Sequence, residues 1–297
     1  MTTHLSSPVL AAVDGSPSSD RAVRWAAREA QRRRLPLRVI HVYTWPVSGY
    51  PPGLTVTAEV REALRDESLR IVRRAVHIAR DEVPDVRVSS VSLCGATIPT
   101  LAAESGTAAL VVSGSRDLGA VTGAVVGSVG VGLTVHSRCP VVVVRGEGEL
   151  PASGPVVVGV DGSPASEAAV PFAFEAASLR GVPLVAVHVW SERFNEAAYW
   201  EGYLTVDWSP HEERARVVLA ERLAGWQEKF PDVEVKRTVR RGDPARTLLR
   251  RAAGSQLLVV GTRGHGRLAG LALGSTSQAL VQHAEIPVAV IRPHPAD

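Results

Sequence analysis

Residues 257–276 read LLVVGTRGHGRLAGLALGST. The run 257–260 is continuously apolar and stops at Gly261, the pattern of a parallel strand buried on both faces. Beyond it stand Gly261, two residues, Gly264, nine residues, and then Gly274 and Ser275. Glycines at a strand end admit positive φ and let the backbone approach a bound group closely. Successive N–H groups in such a turn form a nest for an anion. Gly274, Ser275 and Thr276 open the next apolar segment, whose pattern is helical. A helix start carries free N–H groups and a partial positive charge, which favour phosphate. The stretch therefore reads as a phosphate cradle in two pieces.

The chain is an internal duplication. VLAAVDGSP at 9–17 recurs as VVVGVDGSP at 156–164, and Asp14 and Asp161 lie 147 positions apart (161 less 14). The same offset links Pro36 to Pro183, His41 to His188, Gly95 to Gly242, Gly114 to Gly261, Gly127 to Gly274 and Pro140 to Pro287. One offset over the whole length means two copies with no net insertion between these landmarks. Residues 146–155, rich in Gly and Pro, read as the linker.

Within one copy, strands and helices alternate. Val9–Val13 reads as a strand, Ser16 as an N-cap and Pro17 as the first helical residue. Residues 22–34 have helical periodicity, with Trp25 on the inner face and arginine outside. Leu37–Tyr43 predicts a second strand, 46–53 a loop, and 57–82 a long amphipathic helix. Residues 86–93 predict a third strand, 99–105 a short helix, 110–113 a fourth strand, 127–136 a helix and Val141–Val144 the last strand. This alternation argues for a parallel sheet covered on both faces. In such open sheets ligands bind beyond the carboxyl ends of the strands, where the strand order reverses. Asp14, Gly114 and their counterparts Asp161 and Gly261 stand at such ends.

The 297 residues suffice for two domains, and 45% hydrophobic with 21% charged residues fits globular cores. The net charge of +3 is small, and the run Arg32, Arg33 and Arg34 has acids nearby, so nucleic acid is not indicated. The two cysteines, Cys94 and Cys139, have no metal-ligand spacing and read as inert buried thiols in a reducing cytoplasm. No signal peptide and no stretch long enough to span a bilayer is legible, so a cytoplasmic protein without a membrane partner is expected.

With these residues in place, the chain resembles the universal stress protein family in its tandem two-domain form, over residues 6–146 and 153–293. The resemblance implies an α/β fold of two tandem doubly wound domains. Each would be a five-stranded parallel sheet in the order 3-2-1-4-5 with helices on both faces. It also implies an adenine-nucleotide site, with ATP as the ligand and Mg²⁺ as an optional companion. The family's motif G-x2-G-x9-G-[ST] is matched in full by Gly261, Gly264, Gly274 and Ser275. On that likeness Asp161 meets the ribose or adenine, Val189 packs near adenine, and Ser275 and Thr276 meet the phosphates with Arg263 beside them. In the first copy Asp14, Val42, Gly114, Gly127, Ser128 and Val129 hold the corresponding positions, but Asp117 stands where the second glycine belongs. A carboxylate about 4 Å from a phosphate charge costs on the order of 4 kcal/mol at an effective dielectric near 20. The first copy is therefore expected to bind more weakly, or only with Mg²⁺. The family's last strands pair between domains, so an intrachain pseudo-dimer is expected, with a homodimer of chains as a further expectation.

Three functions stay open at this point. The first is an ATP-holding regulator of stress or growth: there is no G-x4-G-K-[ST] and no kinase-like set of lysine and aspartates. The second is a slow ATPase, since positioning and charge stabilisation are most of what phosphoryl transfer needs. The third is a nucleotide-free scaffold or chaperone-like protein using the aromatic segment 194–208. Asp14 and Asp161 read equally as helix caps, His41 and His188 as packed, hydrogen-bonded histidines, and His136 and His283 as complements to a helix C-terminus. His265 lies in the glycine loop without a counterpart in the first copy.

Overall fold

The computed structural model describes residues 7–44, 57–115, 128–145, 151–190, 208–264 and 273–293. The chain divides into two compact units, Met1–Leu150 and Pro151–Asp297. The loop expected at 46–53 and the residues Gly127, Asp117, His265 and Trp200 lie outside the described residues.

The first unit runs β1 (Val9–Val13), α1 (Pro17–Arg33), β2 (Leu37–Tyr43), α2 (Ala58–Glu82), β3 (Val88–Cys94), α3 (Thr97–Glu104), a single 3₁₀ turn, β4 (Leu110–Gly114), α4 (Ser128–His136) and β5 (Val141–Val144). All strand pairs are parallel: β1 lies between β2 and β4, β3 follows β2, and β5 follows β4. The second unit runs β6 (Val156–Gly159), α5 (Pro164–Arg180), β7 (Leu184–Trp190), α6 (Ser209–Leu223), α7 (Trp226–Lys229), β8 (Val235–Arg241), α8 (Pro244–Ala252), β9 (Leu257–Gly261), α9 (Ser275–His283) and β10 (Val288–Ile291). Its parallel pairs repeat the arrangement, with β6 between β7 and β9, β8 beside β7 and β10 beside β9.

These pairings place the strands of each unit in the order third, second, first, fourth, fifth. The chain moves outward one way through its first two crossovers and then the other way. Right-handed crossovers therefore put the first two helices on one face and the last two on the other. The packing agrees, with α1 beside α2 and α3 beside α4. Strands covered on both sides must be apolar throughout, and β1, β4 and β9 are buried along almost their whole length. The outermost β3 and β8 have a single neighbour each and carry exposed polar residues.

Local signals explain the helix starts. Ser16 accepts from the N–H of Ser19 at 3.2 Å, Ser163 from that of Ser166 at 3.2 Å, and a proline follows each cap. Trp25 is buried in the α1 face. Of the run Arg32, Arg33 and Arg34, Arg33 pairs with the buried Glu29 at 2.7 Å and Arg32 reaches it at 3.9 Å. Two boundaries shift: the third strand is Val88–Cys94, and the third helix starts at Thr97. The expectation for the cysteines divides. Cys139 is mostly buried, and burial pushes its thiol up to about 12. Cys94 is exposed, at the end of an outermost strand that pairs on one side only among the described residues.

The fourth strand of each copy ends against the first helix with no space between. A Cβ on Gly261 would lie 2.5 Å from the carbonyl of Ala165, and one on Gly114 2.6 Å from that of Ser18. These are backbone atoms, so no side-chain rotation relieves the clash. Gly261→Ala and Gly114→Ala are each expected to destabilise their own unit by about 1–3 kcal/mol. Urea unfolding of the full chain, with midpoints compared at constant slope, checks this.

Candidate functional site

In each unit the order reverses at the first strand, between the carboxyl ends of the first and fourth strands, which is where open sheets of this kind place a ligand crevice. In the second unit three pieces meet at it. One is the turn after β6: Asp161 Oδ1 accepts from the N–H of Ser163 at 3.0 Å and from its hydroxyl at 2.6 Å. The Ser166 hydroxyl accepts from the N–H of Gly162 at 3.1 Å and of Asp161 at 3.3 Å. The aspartate thus holds the cap rather than being the cap. The second piece is the turn after β9, beside the first because the Arg263 carbonyl lies 3.1 Å from Ser163 Oγ, within reach of the single hydroxyl hydrogen that Asp161 accepts at shorter range. The third is the start of α9: the Gly274 N–H donates to Thr262 O at 2.8 Å, and Ser277 Oγ donates to Gly261 O at 2.7 Å.

Gly264 has a more specific reason than turn geometry. A Cβ there would lie 2.1 Å from Asp161 Oδ2. Oδ1 of the same carboxylate is anchored by Ser163, so any side chain at 264 displaces Asp161 or the turn. The helix α9 begins at Ser275 with Gly274 as a cap that has no side chain, so no side-chain cap covers its first N–H groups. Ser275 is exposed and Thr276 half-buried at this start, while Arg263 and Gly264 are exposed. Val189, at the end of β7, is half-buried and lies two residues before the start of the undescribed stretch. These bonds and close approaches bring Asp161, Gly261, Arg263, Gly264 and Gly274 together, with Ser275 and Thr276 next in the chain. Among the described residues, no cluster of three His, Cys, Asp or Glu side chains suits a metal ion.

The first unit repeats the turn closely. Asp14 Oδ1 accepts from the Ser16 N–H at 3.0 Å and from its hydroxyl at 2.6 Å. Gly114 closes β4, Val42 is buried near the end of β2, and Ser128 and Val129 begin α4. One tie is missing, since Gly130 holds the place of Ser277 and has no hydroxyl to reach the Gly114 carbonyl. Ser166, Ser277 and their hydrogen bonds escaped the sequence reading. The signal was present for the first as the repeated DGSPxS, with Ser19 as its counterpart.

The paired histidines are packed and hydrogen-bonded, by different means. His188 Nδ1–H donates to Val160 O at 2.7 Å. His41 Nδ1 bonds the fully buried Ser68 hydroxyl at 2.6 Å, and Ser68 bonds Ser92 in turn. Burial pushes His41 below its ordinary value, with Asp14 and Glu67 partly offsetting it. In the second unit Ala215 and Val239 replace the two hydroxyls, so His188 turns to the backbone. Trp208 lies against Trp190 and His211, at 5.9 and 6.0 Å between ring centres. The half-buried Trp226 instead stacks on the buried Phe174 and on the half-buried Phe230. The rest of the aromatic segment 194–208 lies outside the described residues.

Two tandem units, each with parallel strands whose order reverses at the first strand, define a duplicated doubly wound α/β protein. The chain belongs to the universal stress protein family: the family's sequence profile matches residues 6–145 and again 153–292. A universal stress protein of Mycobacterium tuberculosis is 42% identical over 293 residues, which cover 96% of each chain. The crystal structure of a universal stress protein from Archaeoglobus fulgidus is similar in fold, with a TM-score of 0.71 at 17% identity over 97% of each chain. A half-length universal stress protein solved in complex with cAMP covers 47% of this chain and 97% of its own, at 24% identity and a TM-score of 0.37. That ligand is a property of that protein. No helix among the described residues is long and apolar enough to cross a membrane.

The His41 environment gives a pH dependence with a definite sign. Above about pH 6.5 the ring is neutral in both the folded and the unfolded chain, and its contribution is intact. As pH falls through the depressed folded value, the unfolded chain takes the proton first and stability is lost. His41→Gln is expected to flatten the fall in urea midpoint between about pH 7 and 5; an unchanged slope would place that loss elsewhere.

Proposed function

We propose that the second unit binds ATP and that occupancy of this crevice makes the protein a nucleotide-dependent regulator in a stress or growth response. The observation that carries the reading is the meeting of the anchored Asp161 carboxylate, the Gly261–Gly264 turn and the uncapped start of α9 in one crevice. Each piece suits a different part of a nucleotide. An oriented carboxylate accepts hydrogen bonds from ribose hydroxyls or the adenine amino group. Free N–H groups at the start of α9, with Ser275 and Thr276, suit phosphate oxygens. Val189 offers an apolar contact at the end of the neighbouring strand, and Arg263 a cation beside the turn. A divalent ion such as Mg²⁺ would then be held chiefly by the phosphates themselves.

The first unit shares Asp14, Val42, Gly114, Ser128 and Val129 with Gly127, but carries Asp117 at the position of Gly264. In the second unit that position admits no side chain beside Asp161. The same crowding, together with the added negative charge, makes the first site the weaker one in this reading.

Nucleotide released by denaturing protein purified without added ATP tests the proposal. The wild type is expected to release about one ATP per chain, Gly264→Ala to lose it, and Asp117→Gly to gain a second. Release of ADP instead moves weight to slow hydrolysis. A chain that holds no nucleotide even after incubation with Mg-ATP overturns the reading in favour of a scaffold.

A further inference from the structure

At the outer edge of the second unit, β8 and α8 enclose a cleft of about 330 Å³ lined by Arg240, Arg241, Thr247, Arg250 and Arg251. Arg240 and Arg241 end β8, in register with Val189 and Trp190 of β7. Arg250 and Arg251 lie in the last turn of α8, and the buried Thr247 stands one turn earlier. Among the described residues, none of these four arginines has a carboxylate partner. Arg240 donates only to the adjacent carbonyl of Val239, at 2.9 Å. The nearest acid in sequence, Asp243, caps α8 by accepting from the Arg246 N–H at 2.7 Å. The Arg241 guanidinium lies over Trp208, 3.6 Å from the ring centre. Stacking uses the flat face of a guanidinium and leaves the N–H donors on its rim available.

Ordinary structural reasons cover only part of this. A helix dipole favours Arg250 and Arg251 in a last turn. Charge on an outermost strand discourages pairing with another chain. The first unit has the same helix and the same outermost strand, yet its counterparts are Leu93, Cys94, Thr100, Ala103 and Glu104. There Glu104 is neutralised by Arg38 at 2.7 Å. The fold therefore does not require an arginine cluster at this place. The second unit gathers four cations around a cleft, and among the described residues no carboxylate pairs with them.

We propose that this cleft is a second anion site, taking a short phosphoryl chain of two or three groups. Guanidinium edges match phosphate oxygens in pairs, and several close cations favour a multiply charged ligand over a single carboxylate. The same chemistry is presented by inorganic polyphosphate and by the tail of a nucleotide. The site stands on its own residues and does not rest on the ATP reading of the crevice.

Calorimetric titration of the full chain with inorganic tripolyphosphate in metal-free buffer tests it. The wild type and Gly264→Ala are expected to bind one equivalent, with affinity falling as salt is raised. The double variant Arg250→Ala with Arg251→Ala is expected to bind at least tenfold more weakly. Replacing the same pair by lysine, which keeps charge but not the paired donors, is expected to restore part of the loss and controls for folding. Titration of Gly264→Ala with ATP separates the sources: heat that disappears in the added double alanine variant assigns a nucleotide tail, and no heat assigns free polyphosphate. The proposal is overturned by a wild type that does not bind tripolyphosphate, by unchanged affinity in the double alanine variant, or by loss in Gly264→Ala with the double variant intact.

Discussion

The backbone contact between a strand end and a helix start governs both units. Gly261 lies against the Ala165 carbonyl, and Gly114 against that of Ser18, at separations that leave no place for a methyl group. This contact sets the start of α5 directly beside the end of β9, and the start of α1 beside the end of β4. The turns that carry Asp161 and Asp14 lead into those same helices, so the carboxylates are delivered to the crevice as a consequence. In the second unit the Ser163 hydroxyl then stands between three groups: it accepts at the α5 cap, donates to the Asp161 carboxylate, and lies 3.1 Å from the Arg263 carbonyl. A crevice built this way depends on close packing rather than on side chains that can swing.

The duplication supplies an internal comparison. The two hydrogen bonds from serine to the aspartate carboxylate are reproduced at the same lengths in both copies. Changes gather around it. The tie from Ser277 to the Gly261 carbonyl has no counterpart at Gly130, and the buried hydroxyls of Ser68 and Ser92 give way to Ala215 and Val239. One histidine therefore sits in a chain of hydroxyls near Asp14, and the other bonds a backbone carbonyl. The turn has stayed the same while its polar surroundings have diverged, the expected outcome if both copies need the turn to fold and only some of its surroundings to act.

Much of the fold was legible because it rests on period and punctuation. The apolar runs at Val9–Val13 and 257–260, the prolines after Ser16 and Ser163, and the single repeat offset are local signals, and the strands and helices follow them. The glycine motif was legible as a site, but its physical reason was not. A spacing rule suggests that Gly264 makes room for a ligand, whereas the structure shows that it first makes room for Asp161, which is far away in sequence. Cys94 was misjudged for the related reason that burial at the end of a strand depends on which strand has a neighbour. The arginine cleft was hidden because its members come from a strand and a helix whose approach no periodicity announces.

Charge is arranged differently in the two copies, with consequences for stability. In the first unit Arg28 pairs with Glu82, Arg38 with Glu104 and Arg74 with Asp20. A solvent-exposed ion pair contributes at most about 1 kcal/mol, so forgoing one elsewhere costs little. Gathering like charges without partners is different, because their repulsion acts in the folded state and is relaxed on unfolding. Salt weakens that repulsion over about 10 Å at 0.1 M, and a bound anion reverses its sign. A ligand held only by the folded form adds to stability in proportion to the logarithm of its concentration. If the proposed site is occupied, the β8–α8 edge ties the stability of the second unit to the anions around it, whereas at the corresponding place in the first unit Glu104 is paired with Arg38.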